Sequence, residues 1–167
     1  MKYTPPRTDK KFRAIYCTLL LCSVLCMGIR VEGILMPILS SIGLITLTAA
    51  VAMFIKYESI TFVYVILERE SVYDFYVDKY TGKRGAYVCY YPMCDAVKIV
   101  KVDSDTKSEL IKKYGKISFY NYNKNMFTGE KYIIVFARDD GGYDAIKFEP
   151  DGAMLSLMNK LISSENN

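Results

Sequence analysis

Residues 14–55 read AIYCTLLLCSVLCMGI, then RVEG, then ILMPILSSIGLITLTAAVAMFI, and this stretch decides how the chain is built. Between Arg13 and Lys56 the only charged residues are Arg30 and Glu32, which divide it into two apolar runs, Ala14 to Ile29 and Ile34 to Ile55. The second run has 22 residues. As a helix that is about 33 Å, enough to cross a hydrocarbon core of about 30 Å. The first has 16 residues. It reaches about 24 Å, so it recruits Phe12 and Val31 and lets Arg13 and Arg30 snorkel toward the headgroups. The expectation is a helical hairpin with spans at about 14–31 and 34–55, behind a basic tail of residues 1–13 and ahead of a domain of residues 56–167.

A secretory signal also begins with a basic tail and a mid-length apolar run. No A-x-A-like cleavage site follows Cys26-Met27-Gly28-Ile29-Arg30, however, and a longer span starts four residues later. The hairpin is therefore preferred.

Charge places the hairpin. The 167 residues carry a formal net charge of +4 and are 51% hydrophobic, with a mean hydropathy of +0.11. Lys2, Arg7, Lys10, Lys11 and Arg13 face only Asp9 in the tail, whereas 16 basic and 16 acidic residues balance from Lys56 onward. The excess charge thus sits in the tail, and the bulk of the chain has no field able to neutralise phosphates, so a nucleic-acid partner is not expected. With five basic residues before the first run and Lys56 after the second, the positive-inside rule puts both termini in the cytoplasm, as a multi-pass protein of the inner membrane. Membrane lipids are then its first partners. Cys89 and Cys94 lie in a reducing compartment where no disulfide framework is expected.

Within the runs, Thr18, Cys22 and Cys26 continue a four-residue spacing from Ala14, and Ser40, Gly43, Thr46 and Ala50 form a second small-residue stripe. Such stripes let helices approach closely, and packing of the two spans on each other is preferred to self-association.

From Tyr57 onward, short runs rich in Tyr, Val, Ile and Phe are broken by turn residues, the pattern of a mainly antiparallel sheet protein. Seven strands are predicted, near 59–68, 72–80, 86–91, 96–102, 116–123, 131–138 and 143–148. Thr106 and Glu109 are spaced as a capping box for a helix over 106–114 that stops at Gly115. A second helix follows Pro150 and Asp151, with Met154, Leu155, Met158, Leu161 and Ile162 on one face. The fold class is an N-terminal helical hairpin plus an α+β domain, a small curved sheet or barrel closed by its last helix.

Tyr73 to Lys79, Gly82-Lys83-Arg84, and Ile146 to Asp151 leading into the final helix carry a resemblance. The domain resembles the pleckstrin-homology (PH) type barrel, and the whole layout is similar to uncharacterised bacterial two-pass membrane proteins with a cytosolic PH-like domain. Two departures stand out: a helix between the fourth and fifth strands, and an acidic-leaning Glu68-Arg69-Glu70-Ser71 where phosphoinositide binders carry basic residues. That family supplies no activity to carry over.

Catalysis finds no purchase in the composition. Without His there is neither a Ser-His nor a Cys-His pair. Cys89 and Cys94 lack a second ligand pair for zinc, so no metal or cofactor is expected. Asp103-Ser104-Asp105 has Ser108 where a calcium loop needs glycine and reads as a helix start, and Asp139-Asp140-Gly141-Gly142 reads as a solvated turn. Lys79, Lys83 and Arg84, and likewise Lys112, Lys113 and Lys116, read first as solvated faces, with contact to anionic lipid as the functional alternative. The 15 tyrosines are dense in predicted strands, Tyr87, Tyr90, Tyr91, Tyr120 and Tyr122 among them; half-buried strand tyrosines are the ordinary reading, and a docking surface for a protein partner or a second copy, contacted through Tyr90, Tyr120 and Tyr122, is the functional one. The expected function is a non-enzymatic, membrane-anchored binding or assembly module. The alternatives are a ligand-gated two-pass effector, resembling bacterial antiphage effectors that respond to cyclic nucleotides, and, with least support, an enzyme acting at the membrane surface.

Overall fold

A computed structural model describes residues 1–6, 10–29, 33–70, 72–125 and 129–165, and the chain divides into two compact units. Arg30, Val31 and Glu32, on which part of the span boundary and the inter-span loop depend, lie outside the described residues.

The first unit holds the apolar runs. Helix α1 spans Lys10–Gly28 and α2 spans Leu35–Phe54, both long and apolar enough to cross a membrane. A π-helical turn, Ile55–Ser59, follows α2. Gly43 is where the helices come closest: a Cβ there would lie 2.7 Å from Met27 Cγ and 3.3 Å from both Cys26 Cβ and the Ser23 carbonyl oxygen. Gly43 and Ala50 are buried and Thr46 is half-buried, as the second stripe predicts, while Ser40 is exposed. The first stripe fails. Thr18 and Cys22 are exposed, Thr18 donating back to the Ala14 carbonyl at 2.8 Å, and α1 packs instead through Phe12, Tyr16 and Ser23, with Cys26 alone of the stripe at the contact. The large rings claim the interface because they have partners at the end of α2: Phe12 lies 4.5 Å from Tyr57 and Tyr16 lies 5.9 Å from Phe54, centroid to centroid. An Arg13–Glu58 ion pair and Lys56 over the Tyr57 ring complete a basic, aromatic end of the helix pair, the composition of a membrane–water interface.

Met27 can swing away from a side chain at Gly43, but the Ser23 carbonyl cannot. Gly43→Leu is therefore expected to cost about 1–3 kcal/mol by overpacking. Thermal unfolding of the detergent-solubilised chain, followed by far-UV circular dichroism, checks it; an unchanged midpoint would refute the contact.

The second unit is two four-stranded sheets with two helices. Its strands are β1 Lys2–Tyr3, β2 Ile60–Arg69, β3 Val72–Thr81, β4 Arg84–Pro92, β5 Ala96–Lys101, β6 Ile117–Asn121, β7 Tyr132–Ala137 and β8 Tyr143–Phe148; its helices are α3 Thr106–Tyr114 and α4 Gly152–Glu165. One sheet runs β1-β2-β3-β4 and the other β5-β7-β8-β6. All seven expected strands form.

Three features differ from expectation. Strand β1, unforeseen in the basic tail, pairs antiparallel with β2, Lys2 opposite Val65 and Tyr3 opposite Tyr64. Strand β6 joins β8 parallel rather than antiparallel, because α3 carries the chain across a face of the sheet before β6 begins. The sheets remain separate hydrogen-bonded sets and do not close on each other.

Their inner faces meet over Tyr64, Ile66, Phe75, Val77, Ile134, Phe136, Ile146 and Phe148, and α4 adds Met154 and Met158 to the same core. From α4, Leu157 joins the cluster and Leu155 does not. Strands β7 and β8 are buried on both sides, so Ile133, Val135 and Ala145 face a second core against Leu110 of α3. Helix α3 is not started by the expected capping box. The Asp103 carboxylate instead accepts from the Thr106 amide at 2.9 Å and its hydroxyl at 2.6 Å, which holds its pKa below the ordinary value. Gly115, at φ +64°, ends the helix with its amide on the Ile111 carbonyl, as predicted.

Candidate functional site

Antiparallel strands alternate their side chains between two faces. In β3 this sends Tyr73, Phe75 and Val77 into the inter-sheet core and Asp74, Tyr76 and Asp78 outward. Among the described residues no helix or second sheet of this unit supplies a core cluster on that outer face, whereas the inner face is packed against the second sheet and α4. The strand register then gathers tyrosines outside.

Across β3 and β4, Tyr76 pairs with Tyr90 and Val77 with Cys89, but Asp78 pairs with Tyr87, so Val88 is an extra residue. This bulge resets the alternation. Positions 87 and 90, three apart, would otherwise point to opposite faces, yet both rings reach Tyr76, at 5.6 Å and 5.2 Å between centroids. Bulges re-aim side chains in this way. Further along, Tyr80 lies over Gly85, where a Cβ would meet its ring at 2.7 Å.

The electrostatics of the face centre on Asp74, which is only 5% exposed although it points outward. The hydroxyls of Tyr76 and Tyr90 each donate to it at 3.2 Å. Desolvation first, and the Asp74 carboxylate second, push both hydroxyls above their usual pKa, so they remain donors. Tyr87 is raised as well, mainly by desolvation. Arg69 lies over the Tyr76 ring, 5.7 Å from its centroid. A shallow cavity of about 270 Å³ is bounded by Val65, Leu67, Arg69, Tyr76, Asp78 and Tyr87. Tyr87 is 59% and Tyr90 46% exposed. Large, exposed aromatic rings beside an edge strand, β4, suit recognition rather than chemistry.

Of the residues marked in the sequence, Tyr90 belongs to this face. Lys79 sits on the inward register opposite Ala86, Lys83 in the turn after Gly82, and Arg84 opposite Thr81, so the three do not converge on Tyr90. Tyr120 lies on β6 of the other sheet and Tyr122 just past its end, stacked at 6.4 Å, with Tyr122 against Phe62 and its carbonyl accepting from the Tyr64 hydroxyl at 2.8 Å. Lys116 pairs with Asp140 at 3.0 Å, and Lys113 lies over Tyr114. Asp140 also accepts from the Gly142 amide within the turn. Asp74, Tyr76 and Arg69 were not singled out from sequence. Strict alternation through Asp74-Phe75-Tyr76-Val77-Asp78 is the signal that puts Asp74 and Tyr76, together with Asp78, on one face.

Two other places hold polar groups. In the inter-sheet core, Asp144 accepts from the Tyr91 hydroxyl at 2.7 Å and from Arg138 at 3.3 Å, pinning β8 to β4 and to the β7–β8 turn. A hollow of about 260 Å³ lies between the start of α3 and β6, with Lys107, Lys147, Phe119 and Tyr120 in its walls. Among the described residues no group of three or more metal-ligating side chains exists. Comparison with family models, with curated proteins and with solved structures finds no match to this chain.

Proposed function

We propose that this chain is a non-enzymatic, membrane-anchored binding or assembly module: α1 and α2 cross the inner membrane as a hairpin, and a PH-like domain on the cytosolic side presents the outer face of its first sheet to a protein partner. One observation carries the anchoring. Strands β1 and β2 are neighbours in one sheet although the chain between them runs through both apolar helices. A chain that leaves a sheet, traverses the bilayer and returns to the same sheet must cross an even number of times. Two spans with both flanks on one side meet that condition, and a single crossing does not. The cluster of Arg13, Lys56, Phe12 and Tyr57 at the end where the chain enters and leaves the pair supports the cytosolic assignment.

The order of seven strands, β2 to β8, followed by the capping helix α4 supports the PH-like reading of the frame, with β1, α3 and the parallel β6 as elaborations. Against enzymatic function stand the absence of His from the sequence and the structural use already made of Asp103, Asp140 and Asp144. The basic and aromatic walls of the α3 hollow favour the ligand-gated alternative, but about 260 Å³ falls below the roughly 300–1,000 Å³ of small-molecule sites.

Reporter fusions test the topology. Green fluorescent protein at either end of the full chain is expected to fluoresce, and alkaline phosphatase at either end to stay inactive, with the protein resisting carbonate extraction. Phosphatase activity at one end only would overturn the hairpin.

A further inference from the structure

We propose that the outer face of the first sheet is a cation-recognition surface, and that its occupant is an extended polypeptide segment of a partner protein bearing arginine or lysine, laid along β4. The inference rests on the binding-module reading and names the chemistry of the partner. It starts from an occupant already present: Arg69 of the chain itself lies over Tyr76, 5.7 Å from the ring centroid, within the range at which a guanidinium is drawn to an aromatic face. Tyr87 and Tyr90, on the β4 side of Tyr76, carry no cation of the chain over their rings among the described residues, and both are exposed.

Charge points the same way. Asp74 and Asp78 stand on this face with Arg69 over Tyr76 and Lys2 opposite Val65, and among the described residues neither carboxylate forms an ion pair with a lysine or arginine of the chain. Asp74 is held beneath the tyrosine hydroxyls, and a second cation approaching Tyr90 meets the ring first and the carboxylate behind it. Rings in front of an acid form a cage for a positively charged side chain. A neutral apolar partner would bring no opposite charge to that carboxylate, which the two hydroxyls alone hold.

The neighbouring strand fixes the shape of the occupant. Among the described residues, strand β4 has a hydrogen-bonded neighbour strand on its β3 side alone. An added strand would take up the free backbone groups of β4, and its alternate side chains would fall on the tyrosine face beside Tyr87 and Tyr90. A partner with arginine or lysine at every second position satisfies the edge and the rings together.

The test uses the full chain in maltoside detergent, titrated by calorimetry with an acetylated, amidated (Val-Arg)4 peptide and with its citrulline counterpart, which keeps the shape and loses the charge. The arginine peptide is expected to bind at least about tenfold more tightly, the range of a partly desolvated cation–π contact. Tyr87→Leu and Tyr90→Leu should each weaken it about fivefold, while Tyr87→Phe, which keeps the ring, holds affinity within about twofold. Arg69→Ala removes the intramolecular competitor and is expected to tighten binding severalfold, an effect that loss of fold cannot mimic. Equal binding of the two peptides would overturn cation recognition while leaving an edge-docking module standing. Binding of neither peptide would overturn this inference, and the topology experiment then judges the anchoring separately. Weaker binding by Arg69→Ala would show that Arg69 assists the ligand, and would overturn the competitor assignment.

Discussion

Replacing Phe136 by alanine is expected to destabilise the two-sheet unit by about 3–5 kcal/mol, a large share of a domain's total stability. Phe136 is fully buried on the inner face of β7. It is stacked from both directions, against Phe75 at 6.0 Å and Tyr91 at 4.6 Å between centroids, so one ring bridges β3 and β4 of one sheet to β7 of the other. The flanking rings are themselves anchored, Phe75 against Phe148 and Tyr91 by its hydroxyl on Asp144, and neither can collapse freely into the space left behind. The cost of a large-to-small change rises with the cavity that remains. Tyr87→Ala, at a 59% exposed ring on the opposite face, is the control and should stay within about 0.5 kcal/mol. Urea unfolding of the full chain, followed by the near-ultraviolet dichroism of its tyrosines, reports this unit without interference from the helix pair's far-ultraviolet signal. A loss under about 1 kcal/mol for Phe136→Ala would mean that the two sheets are not packed through this ring.

The contrast between these two aromatic positions also shows what a single sequence makes legible. Runs such as Tyr132 to Ala137 announce themselves as strands because β-branched and aromatic residues cluster between turn signals, and Gly115 and Gly141, with φ +64° and +75°, sit where only glycine is comfortable. The seven strands and both helices of the domain follow from such local signals. Strand β1 does not, because two residues, Lys2 and Tyr3, have no pattern of their own and take their conformation from β2. The parallel pairing of β6 with β8 depends on which sheet edge is open when the chain emerges from α3, information that no local window contains. In α1 the small-residue spacing pointed to Thr18 and Cys22, but burial of Phe12 and Tyr16 outweighs close approach of small side chains, and those rings find partners only after the chain has turned back. The candidate site was half legible. Tyr90 stood out by tyrosine density, and alternation puts Asp74, Tyr76 and Asp78 together. The bulge at Val88, which brings Tyr87 onto the same face, is a property of register and emerges only when β3 and β4 are paired.

Stability is expected to hold steady from neutral pH to about 9 and then to fall by about 3–4 kcal/mol by pH 11, an alkaline weakness written into the inter-sheet core. Burial pushes the Cys89 thiol from 9.0 up to about 12. Burial drives Tyr64 higher still above its usual 10.0, its hydroxyl being held between the Tyr122 carbonyl, to which it donates, and the Glu149 amide, from which it accepts. Tyr122 is raised to about 12 and Tyr91 is raised by desolvation together with its bond to Asp144; both are more open to solvent, and their share is discounted for screening. The sign follows from which state releases protons. Each group is an acid whose folded form favours the neutral state, so below the unfolded pKa both states are protonated and nothing is lost. Above it the unfolded chain ionises while the folded chain does not, which draws the equilibrium toward unfolding by about 1.4 kcal/mol per pH unit for each deeply buried group. Cys89 is the first to act, because a thiol ionises in the unfolded chain about one pH unit before a tyrosine. Urea unfolding curves at pH 8, 9, 10 and 11 check the course, and Cys89→Ala isolates its cause: the variant carries a constant offset from the lost side chain but should keep a nearly flat profile to about pH 10. If wild type and variant declined in parallel from pH 9, the thiol would not be the group that the core keeps neutral, and the onset would have to come from an ionisation outside the space between the sheets.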